Sequence, residues 1–244
     1  MGQVMVVTSG KGGTGKTTLC AGVASALSQQ GQRVLCIDAD IGLRNLDLAL
    51  GMADTATVAF TEVLTGRIPL ERAPAHPELP GLQLLTAPAG GDEVEHAAFG
   101  QMLDEARARY DWVFIDAPAG IGMGFQLSAA FADRGLVVST ADPASLRDAA
   151  CAAQLLRQQG LQQLQLAVNR VSRKLFQKIG STIDDMMDQI GLPLLGLTPE
   201  DPNVVLAAVV GVALLRYTQR GAAVAMANMA RRLMYESVPL MRIR

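Results

Sequence analysis

A glycine-rich segment at residues 9–18, S-G-K-G-G-T-G-K-T-T, constrains the fold of this 244-residue chain more than any other feature. It fits the pattern G-x-x-x-x-G-K-T, follows an apolar run at 4–7 and precedes a helix-like stretch at 17–30. Glycines let a backbone turn tightly around a polyphosphate, so that successive N–H groups and the positive end of the next helix point at the anion. The segment therefore predicts a phosphate-binding loop between a strand and a helix.

The loop supplies groups for both a nucleotide and a metal ion. We expect Lys16 to contact the β- and γ-phosphates and the Thr17 hydroxyl to ligate Mg²⁺. A glycine-rich turn with a lysine on a solvated face is the alternative, and the strand and helix around the loop argue against it. The loop residues predicted to bind the nucleotide are Gly10, Lys11, Gly12, Gly13, Thr14, Gly15, Lys16, Thr17 and Thr18.

A second lysine, Lys11, follows the first glycine of the loop, where a general phosphate cradle needs no cation. K-G-G-T-G-K-T-T resembles the deviant Walker A loop of the MinD/ParA group of ATPases. The resemblance implies ATP and Mg²⁺ as cofactors and an ATP-dependent homodimer, in which Lys11 reaches the nucleotide of the partner subunit. A plain surface charge is the alternative for Lys11.

Apolar runs, turns and amphipathic helices alternate along the whole chain, which is typical of βαβ units with a buried parallel sheet. The predicted fold is α/β, a P-loop NTPase with a mostly parallel twisted sheet of about seven or eight strands flanked by helices. We expect one ATPase domain over 1–236 and a short tail over 237–244. The strands are predicted near 3–8, 33–38, 82–86, 112–116, 135–140, 164–169 and 193–197.

Two carboxylates, Asp38 and Asp40, end the second predicted strand and face the same way because side chains alternate along an extended chain. The following G-L-R-N-L-D is closer to the MinD branch than to the wider group. The resemblance implies that Asp40 orients the attacking water and that Lys11 and Lys16 are catalytic with it. It also implies that Asp38 supports the ligands of Mg²⁺. Asn45 would belong to a switch segment that contacts the partner subunit. Two helix-capping aspartates are the alternative.

Asp116 ends another buried strand, as in a Walker B site, where it would hold Mg²⁺ through water. The D-x-P-A-G that follows resembles the second switch of the MinD group, which implies that a backbone N–H near Gly120 senses the γ-phosphate. Glycines leave this loop free to order with ATP and to relax after hydrolysis. A merely flexible loop is the alternative.

Two later strand ends resemble the adenine pocket of MinD-like proteins. The resemblance assigns Asn169 to the base, since an amide both donates and accepts hydrogen bonds. It also places Arg170, Pro199, Glu200 and Asp201 at the pocket. Ordinary turn chemistry explains the proline and the aspartate equally well.

Three segments depart from the family pattern. The segment 142–148 is shorter than usual, and Asp148 is the residue that would face Lys11 across the dimer. The apolar run 204–215 is too short for the ~20 residues of a membrane span, so it is either a buried helix or a patch that faces a partner, and we expect it to be buried. The tail has too few residues beyond Pro239 for a stable helix, which leaves open either a weak, reversible membrane anchor or a frayed terminus.

Composition narrows the choice of partner and compartment. The net charge of −2 and the pI of about 5.7 provide no basic field for DNA, so DNA binding is not expected. The chain enters a strand within three residues, leaving no room for a leader, and we expect a cytoplasmic protein. We expect His76 and His96 to be surface residues.

The function implied by the resemblance is an ATP-hydrolysing dimerisation switch that regulates the placement of the division septum. A MinC-like inhibitor and a MinE- or DivIVA-like regulator are the implied partners. Two alternatives remain: a ParA-like partition ATPase that binds DNA non-specifically, and an ATP-dependent metabolic enzyme on the same fold, for which no motif of a second substrate pocket is found.

Overall fold

The computed structural model describes residues 1–90, 94–172, 174 and 182–241. Its centre is a seven-stranded sheet, of which every strand pairing is parallel. The strands are β1 Gln3–Thr8, β2 Val34–Asp38, β3 Leu82–Leu85, β4 Trp112–Asp116, β5 Arg134–Ser139, β6 Gln163–Val171 and β7 Leu194–Pro199. Their order across the sheet is β3-β2-β4-β1-β5-β6-β7, which places β1 in the middle.

Helices connect the strands and cover both faces of the sheet. Those in the described residues are α1 Lys16–Gln29, α2 Leu46–Leu50, α3 Phe60–Leu64, α4 His96–Arg109, α5 Met123–Ala130, α6 Pro143–Gln158, α7 Ile183–Ile190, α8 Pro202–Val210, α9 Leu214–Tyr217 and α10 Ala222–Leu233. A 3-10 turn spans Leu70–Arg72.

The core follows the two-residue alternation of the buried strands. Met5 and Val7 of β1 face a layer built by α1, α2 and α10, whereas Val4 and Val6 face the layer that contains α4, α5 and α6. Because helices cover both faces, the strands are apolar on both sides, which is how a parallel sheet is stabilised. The predicted α/β fold with a mostly parallel sheet is confirmed, with seven strands.

The expectation that the whole run 204–215 is buried is wrong. Ala213, Leu214 and Leu215 are buried, but Ala207 is the only buried residue of α8. An apolar run is compatible with a core helix and with an exposed apolar surface. Here residues 213–215 are in the core, whereas most of α8 is partly or fully exposed.

The expectation that His76 lies at the surface is also wrong. The ring is buried, with Nε2 2.8 Å from the carbonyl oxygen of Leu50 and Nδ1 accepting the backbone N–H groups of Glu78 and Leu79. His96 is exposed, as expected.

The start of the C-terminal tail lies near the start of β7, to which Arg232 connects it. Residues 237–241 form no helix or strand. The guanidinium of Arg232 donates to the carbonyl oxygens of Leu195, Val238 and Pro239, and so joins the tail to the domain. The last three residues of the predicted tail, 242–244, lie outside the described residues. No helix in the described part of the chain is long and apolar enough to cross a membrane.

Candidate nucleotide site

The candidate site lies at the carboxyl end of the central strand, where ligands bind in open parallel sheets. Asp38 and Asp116 are paired in register on neighbouring strands, and Val7 of β1 pairs with Asp116 from the other side. The loop from Ser9 to the start of α1 therefore lies directly beside both carboxylates. An open pocket of about 400 Å³ borders this loop.

Two positions in the loop require glycine for reasons visible in the structure. Gly15 has a φ of 86°, and a Cβ atom there would lie 2.1 Å from Nδ2 of Asn169. A Cβ atom on Gly10 would lie 2.2 Å from the carbonyl oxygen of Asp148 in α6. The loop is thus packed between α6 and the end of β6, and side chains at these positions would push it out of place.

Lys16, Thr17 and Asp116 meet at the start of α1. The Lys16 ammonium lies 2.5 Å from Oδ1 of Asp116, and the Thr17 hydroxyl donates to Oδ2 at 2.7 Å. Lys16 and Asp116 are both buried. Burial raises the pKa of Asp116, although Lys16 and Thr17 act in the opposite direction. A buried ammonium and a buried carboxylate each need the other while no phosphate is present.

The loop is chemically suited to a Mg²⁺-bound polyphosphate. The hydroxyl of Thr17 and the carboxylate of Asp116 are oxygen ligands of the kind that Mg²⁺ prefers, and Mg²⁺ usually takes its remaining ligands from phosphates and water. Among the described residues, the Thr14 hydroxyl in the same loop is buried without a hydrogen-bond partner. It is a polar group that a bound anion would satisfy.

The carboxylate of Asp38 shapes the loop that follows β2. One of its oxygens accepts the backbone N–H of Asp40 at 3.0 Å, and the other accepts those of Asn45 and Leu46 at 3.1 Å. Burial raises the pKa of Asp38, while these three hydrogen bonds and the nearby Lys16 lower it. Asp38 therefore positions Asp40 and Asn45, both of which line the pocket beside the phosphate loop.

The loop after β4 reaches the same pocket. Gly120, with a φ of 88°, donates its N–H to the carbonyl oxygen of Ser9 at 3.2 Å. Ala119, one residue earlier, lines the pocket. A hydrogen bond thus joins the loop after β4 to Ser9 at the start of the phosphate loop, so a movement of either loop would displace the other.

Lys11 forms an ion pair within its own subunit. Its ammonium lies 2.8 Å from Oδ1 of Asp142, and the two side chains are 35% and 47% exposed. Asp142 also caps α6 by accepting the N–H of Ser145, and accepts the hydroxyl of Thr140. Since exposed ion pairs contribute little to stability, Lys11 can leave this position at small cost.

The residues predicted for adenine lie together in a second pocket of about 350 Å³, which shares Gly13, Gly15 and Thr18 with the phosphate pocket. Asn169 donates from Nδ2 to the carbonyl oxygen of Thr14 at 2.8 Å, and so connects this pocket to the phosphate loop. The predicted residues that line it are Asn169, Arg170, Pro199, Glu200 and Asp201.

Two of these residues have further structural contacts. Arg170, at a positive φ of 57° in an irregular part of β6, pairs with Glu200 at 2.7 Å. Asp201 accepts the N–H of Asn203 at the start of α8 and that of Ala222 at the start of α10. Asp201 therefore fixes two helices beside the pocket.

Sequence reasoning missed two contributors to the site, Asp142 and α8. A signal for Asp142 exists, because D-P-x-S after a strand predicts an N-cap, and the carboxyl end of β5 lies next to that of β1. Val205 and Ala208 of α8 line the base and phosphate pockets, respectively. No local pattern indicates that contact.

Comparison with known proteins supports this description of the site. Residues 5–215 match the family described as the CobQ/CobB/MinD/ParA nucleotide binding domain. The septum site-determining protein MinD of Bacillus subtilis (strain 168) is 35% identical over 247 residues, which cover 98% of this chain and 92% of that protein.

Solved structures give the same result. One chain of the MinC:MinD cell division protein complex of Aquifex aeolicus superimposes with a TM-score of 0.92 at 35% identity, covering 99% of each chain. The septum site-determining protein MinD of Pyrococcus horikoshii OT3, complexed with Mg-ADP, superimposes with a TM-score of 0.82 at 26% identity, covering 96% of each chain.

Proposed function

The chain belongs to the CobQ/CobB/MinD/ParA nucleotide-binding family, and we propose that it is a MinD-like cell-division ATPase that works as a dimerisation switch. Members of the MinD/ParA group hydrolyse ATP. The observation that carries the proposal is the meeting of Lys16, Thr17 and Asp116 at the mouth of the loop, with Asp40 on the wall of the same pocket.

The proposed ligand is ATP with Mg²⁺. A bound Mg²⁺ would neutralise charge on the β- and γ-phosphates. Lys16 would exchange its contact with Asp116 for phosphate oxygens, and Thr17 and Asp116 would hold the metal, Asp116 through water. The relative from Pyrococcus horikoshii was solved with Mg-ADP, which supports this assignment.

Hydrolysis would depend on the loop that Asp38 holds. Asp40 would orient a water molecule for attack on the γ-phosphorus, with ADP as the leaving group. Asn169 would accept the adenine amino group through Oδ1, while Nδ2 keeps its contact with Thr14. Release of the γ-phosphate would remove the contacts that favour the ATP-bound arrangement of the loops at Asn45 and Gly120.

Dimerisation would complete the site. We propose that Lys11 leaves Asp142 and contacts the γ-phosphate of the partner subunit, where its charge stabilises the transition state. Turnover would then be slow until two subunits meet. The predicted contact of Asp148 with the partner's Lys11 stays a prediction.

The proposed partners follow the relatives. The similar chain from Aquifex aeolicus was solved as a MinC:MinD complex, which supports a MinC-like partner for this chain. A MinE- or DivIVA-like regulator, a cytoplasmic location and a reversible membrane contact through the tail stay predictions. Binding to DNA is disfavoured by the acidic net charge.

Two substitutions test the core of this proposal. Lys16→Ala should abolish ATP binding, whereas Asp40→Ala should preserve binding and stop phosphate release. Lys174→Ala and Asp54→Ala, which change exposed residues outside the pocket, serve as matched controls. Phosphate release without any added small-molecule acceptor is expected for the wild type, and full hydrolysis by Asp40→Ala would refute the assigned role.

A further inference from the structure

Arg134, the first residue of β5, is a buried cation that forms no ion pair within the described part of the chain. The residue is 8% exposed, and its Nε is buried without a hydrogen-bond partner. A buried charge that lacks a countercharge lowers the stability of a protein. A negative charge placed beside this guanidinium would therefore be favoured.

Two aromatic rings are the neighbours of this guanidinium. Its carbon, Cζ, lies 5.7 Å from the ring centroid of Trp112 and 5.6 Å from that of Tyr235. Its Nη2 lies 3.5 Å from the Tyr235 hydroxyl, at the limit of a hydrogen bond. We call these three residues the Arg134 cluster. Aromatic rings attract a cation but carry no net charge, so the cluster remains positive.

The two carboxylates next to this cluster along the chain are already paired with other arginines. Asp133 pairs with Arg107 at 3.1 Å. Glu236 pairs with Arg231 at 2.7 Å. Neither carboxylate can neutralise Arg134 without giving up its own partner.

The hydroxyl of Tyr235 is the atom of the cluster to which a negative charge can be added. Trp112 and Arg134 are both buried, whereas Tyr235 is 83% exposed. Tyr235 lies just after α10, where the tail begins. A modifying enzyme can therefore reach this phenol while its oxygen stays beside the guanidinium.

We propose that Tyr235 is a phosphorylation site and that Arg134 receives the phosphate. The phenolic oxygen attacks the γ-phosphorus of ATP held by a protein kinase, the bond from that phosphorus to the β-phosphate oxygen breaks, and ADP leaves. The phenolic proton passes to a base of the kinase. The added phosphate oxygens then accept charge-assisted hydrogen bonds from the guanidinium.

The reaction requires a separate kinase. Arg134 lies at the start of β5, whereas the chain's own nucleotide loop follows the end of the parallel neighbour β1. Tyr235 is therefore at the opposite edge of the sheet from that loop. The phosphorylation does not depend on ATP hydrolysis by this chain.

The phosphate would fasten the end of α10 to the sheet. The N–H groups of Tyr235 and Glu236 close the last turn of the helix on the carbonyl oxygens of Arg232 and Arg231. Arg232 in turn holds the first residues of the tail. Phosphorylation would thus regulate how firmly the junction between α10 and the tail is held.

The test places phosphotyrosine at position 235 by genetic code expansion, in the wild-type background and together with Arg134→Met. Methionine keeps an unbranched side chain beside the rings and removes the charge. Phosphotyrosine should raise the midpoint of thermal unfolding by at least about 3 °C over the same sample treated with a phosphatase. It should also slow amide hydrogen exchange at Tyr235 and Glu236. With Arg134→Met the rise should be less than about 1 °C.

A second position and a second variant control this comparison. Phosphotyrosine at position 217, an exposed tyrosine of α9 outside the cluster, should have an effect that does not depend on Arg134. If Arg134→Met does not fold, Arg134→Lys takes its place. Lysine keeps the charge but lacks the planar fork of N–H donors, so it should lose at least about half of the rise.

Each part of the proposal can be overturned. No rise with phosphotyrosine at position 235, or an equal rise with and without Arg134, would show that Arg134 does not receive the phosphate. Peptide mass spectrometry of the chain isolated from the cells that produce it should find phosphate on Tyr235. Peptides that cover Tyr235 and never carry phosphate would show that the site is not used.

Discussion

The ammonium group of Lys16 lies 2.5 Å from a carboxylate oxygen of Asp116, a residue 100 positions later in the chain. Both side chains are buried, so each supplies the countercharge that the other lacks. In the proposed mechanism the phosphates replace Asp116 as the partner of Lys16. A stronger pair between Lys16 and Asp116 would therefore weaken the binding of phosphate.

Removing the charge of Asp116 should destabilise the free protein. Asp116→Asn leaves a buried ammonium without a countercharge, which costs about 3–5 kcal/mol in the free energy of unfolding. Urea denaturation measures this. The double variant Lys16→Met with Asp116→Asn should lose less than the sum of the two single changes, since both charges are gone. Additive losses would show that the pair is not coupled.

Asn169 should act on the phosphate loop as well as on the base. Asn169→Ala leaves the carbonyl oxygen of Thr14 without its buried hydrogen-bond donor. This loosens the loop and lowers the free energy of unfolding by about 1–3 kcal/mol. We expect about 5- to 10-fold weaker binding of inorganic tripolyphosphate, which carries no base, and at least the same loss for ATP. Calorimetric titration measures both affinities.

Arg170→Ala is the control for Asn169, because Arg170 lines the base pocket but makes its described ion pair with Glu200. It should leave tripolyphosphate binding unchanged. If Asn169→Ala weakens ATP and spares tripolyphosphate, Asn169 contributes through the base alone.

The local motifs of this chain are sufficient to predict the fold and to indicate where the site lies. All seven predicted strands are present, because a continuous apolar run followed by a turn and a helix has few alternatives in a parallel sheet. The carboxyl ends of neighbouring parallel strands lie at the same edge of the sheet. Because β1 and β4 are neighbours, the loop that follows β1 lies beside Asp116 at the end of β4, and Lys16 contacts it.

Long-range pairing and exposure cannot be predicted in the same way. The Lys11–Asp142 pair joins residues 131 positions apart, whereas the predicted neighbour of Lys11 is a residue on the next subunit. The apolar run of α8 has the composition of a core helix, and the burial of His76 depends on carbonyl and N–H groups that are set by the tertiary fold. The local pattern at Asp142 predicts an N-cap but not its ion pair with Lys11, and no local pattern indicates the exposure of α8 or the burial of His76.

The burial of His76 should make stability depend on pH. Burial lowers the pKa of His76, and its Nδ1 accepts two N–H groups, so the neutral ring is the form that fits. A folded-state pKa below the usual 6.5 gives stability that is present above pH 6.5 and is lost as the pH falls through the folded-state pKa. As the pH falls from 6.5 towards the folded-state pKa, the free energy of unfolding should therefore decrease, by at most about 1.4 kcal/mol per pH unit from this one group.

Urea denaturation between about pH 7 and pH 5 tests this contribution. His76→Gln should be less stable at neutral pH and should show a smaller slope, because no ring is left to protonate. His96→Gln, at the exposed histidine, should keep the wild-type slope. An unchanged slope in His76→Gln would mean that other groups cause the acid sensitivity.

Breaking the pair between Lys11 and Asp142 should favour the active dimer. In the proposed mechanism Lys11 leaves Asp142 to reach the partner's nucleotide, so the pair opposes dimerisation by up to about 1 kcal/mol in each subunit. Asp142→Ser retains an N-cap for α6 and removes the carboxylate. With ATP and Mg²⁺, the protein concentration at half-maximal specific ATPase activity should fall by about 5- to 30-fold.

Lys11→Ala should instead lower the activity at every concentration, and the double variant should behave like Lys11→Ala. An Asp142→Ser midpoint equal to that of the wild type would show that Lys11 does not change partners when the dimer forms.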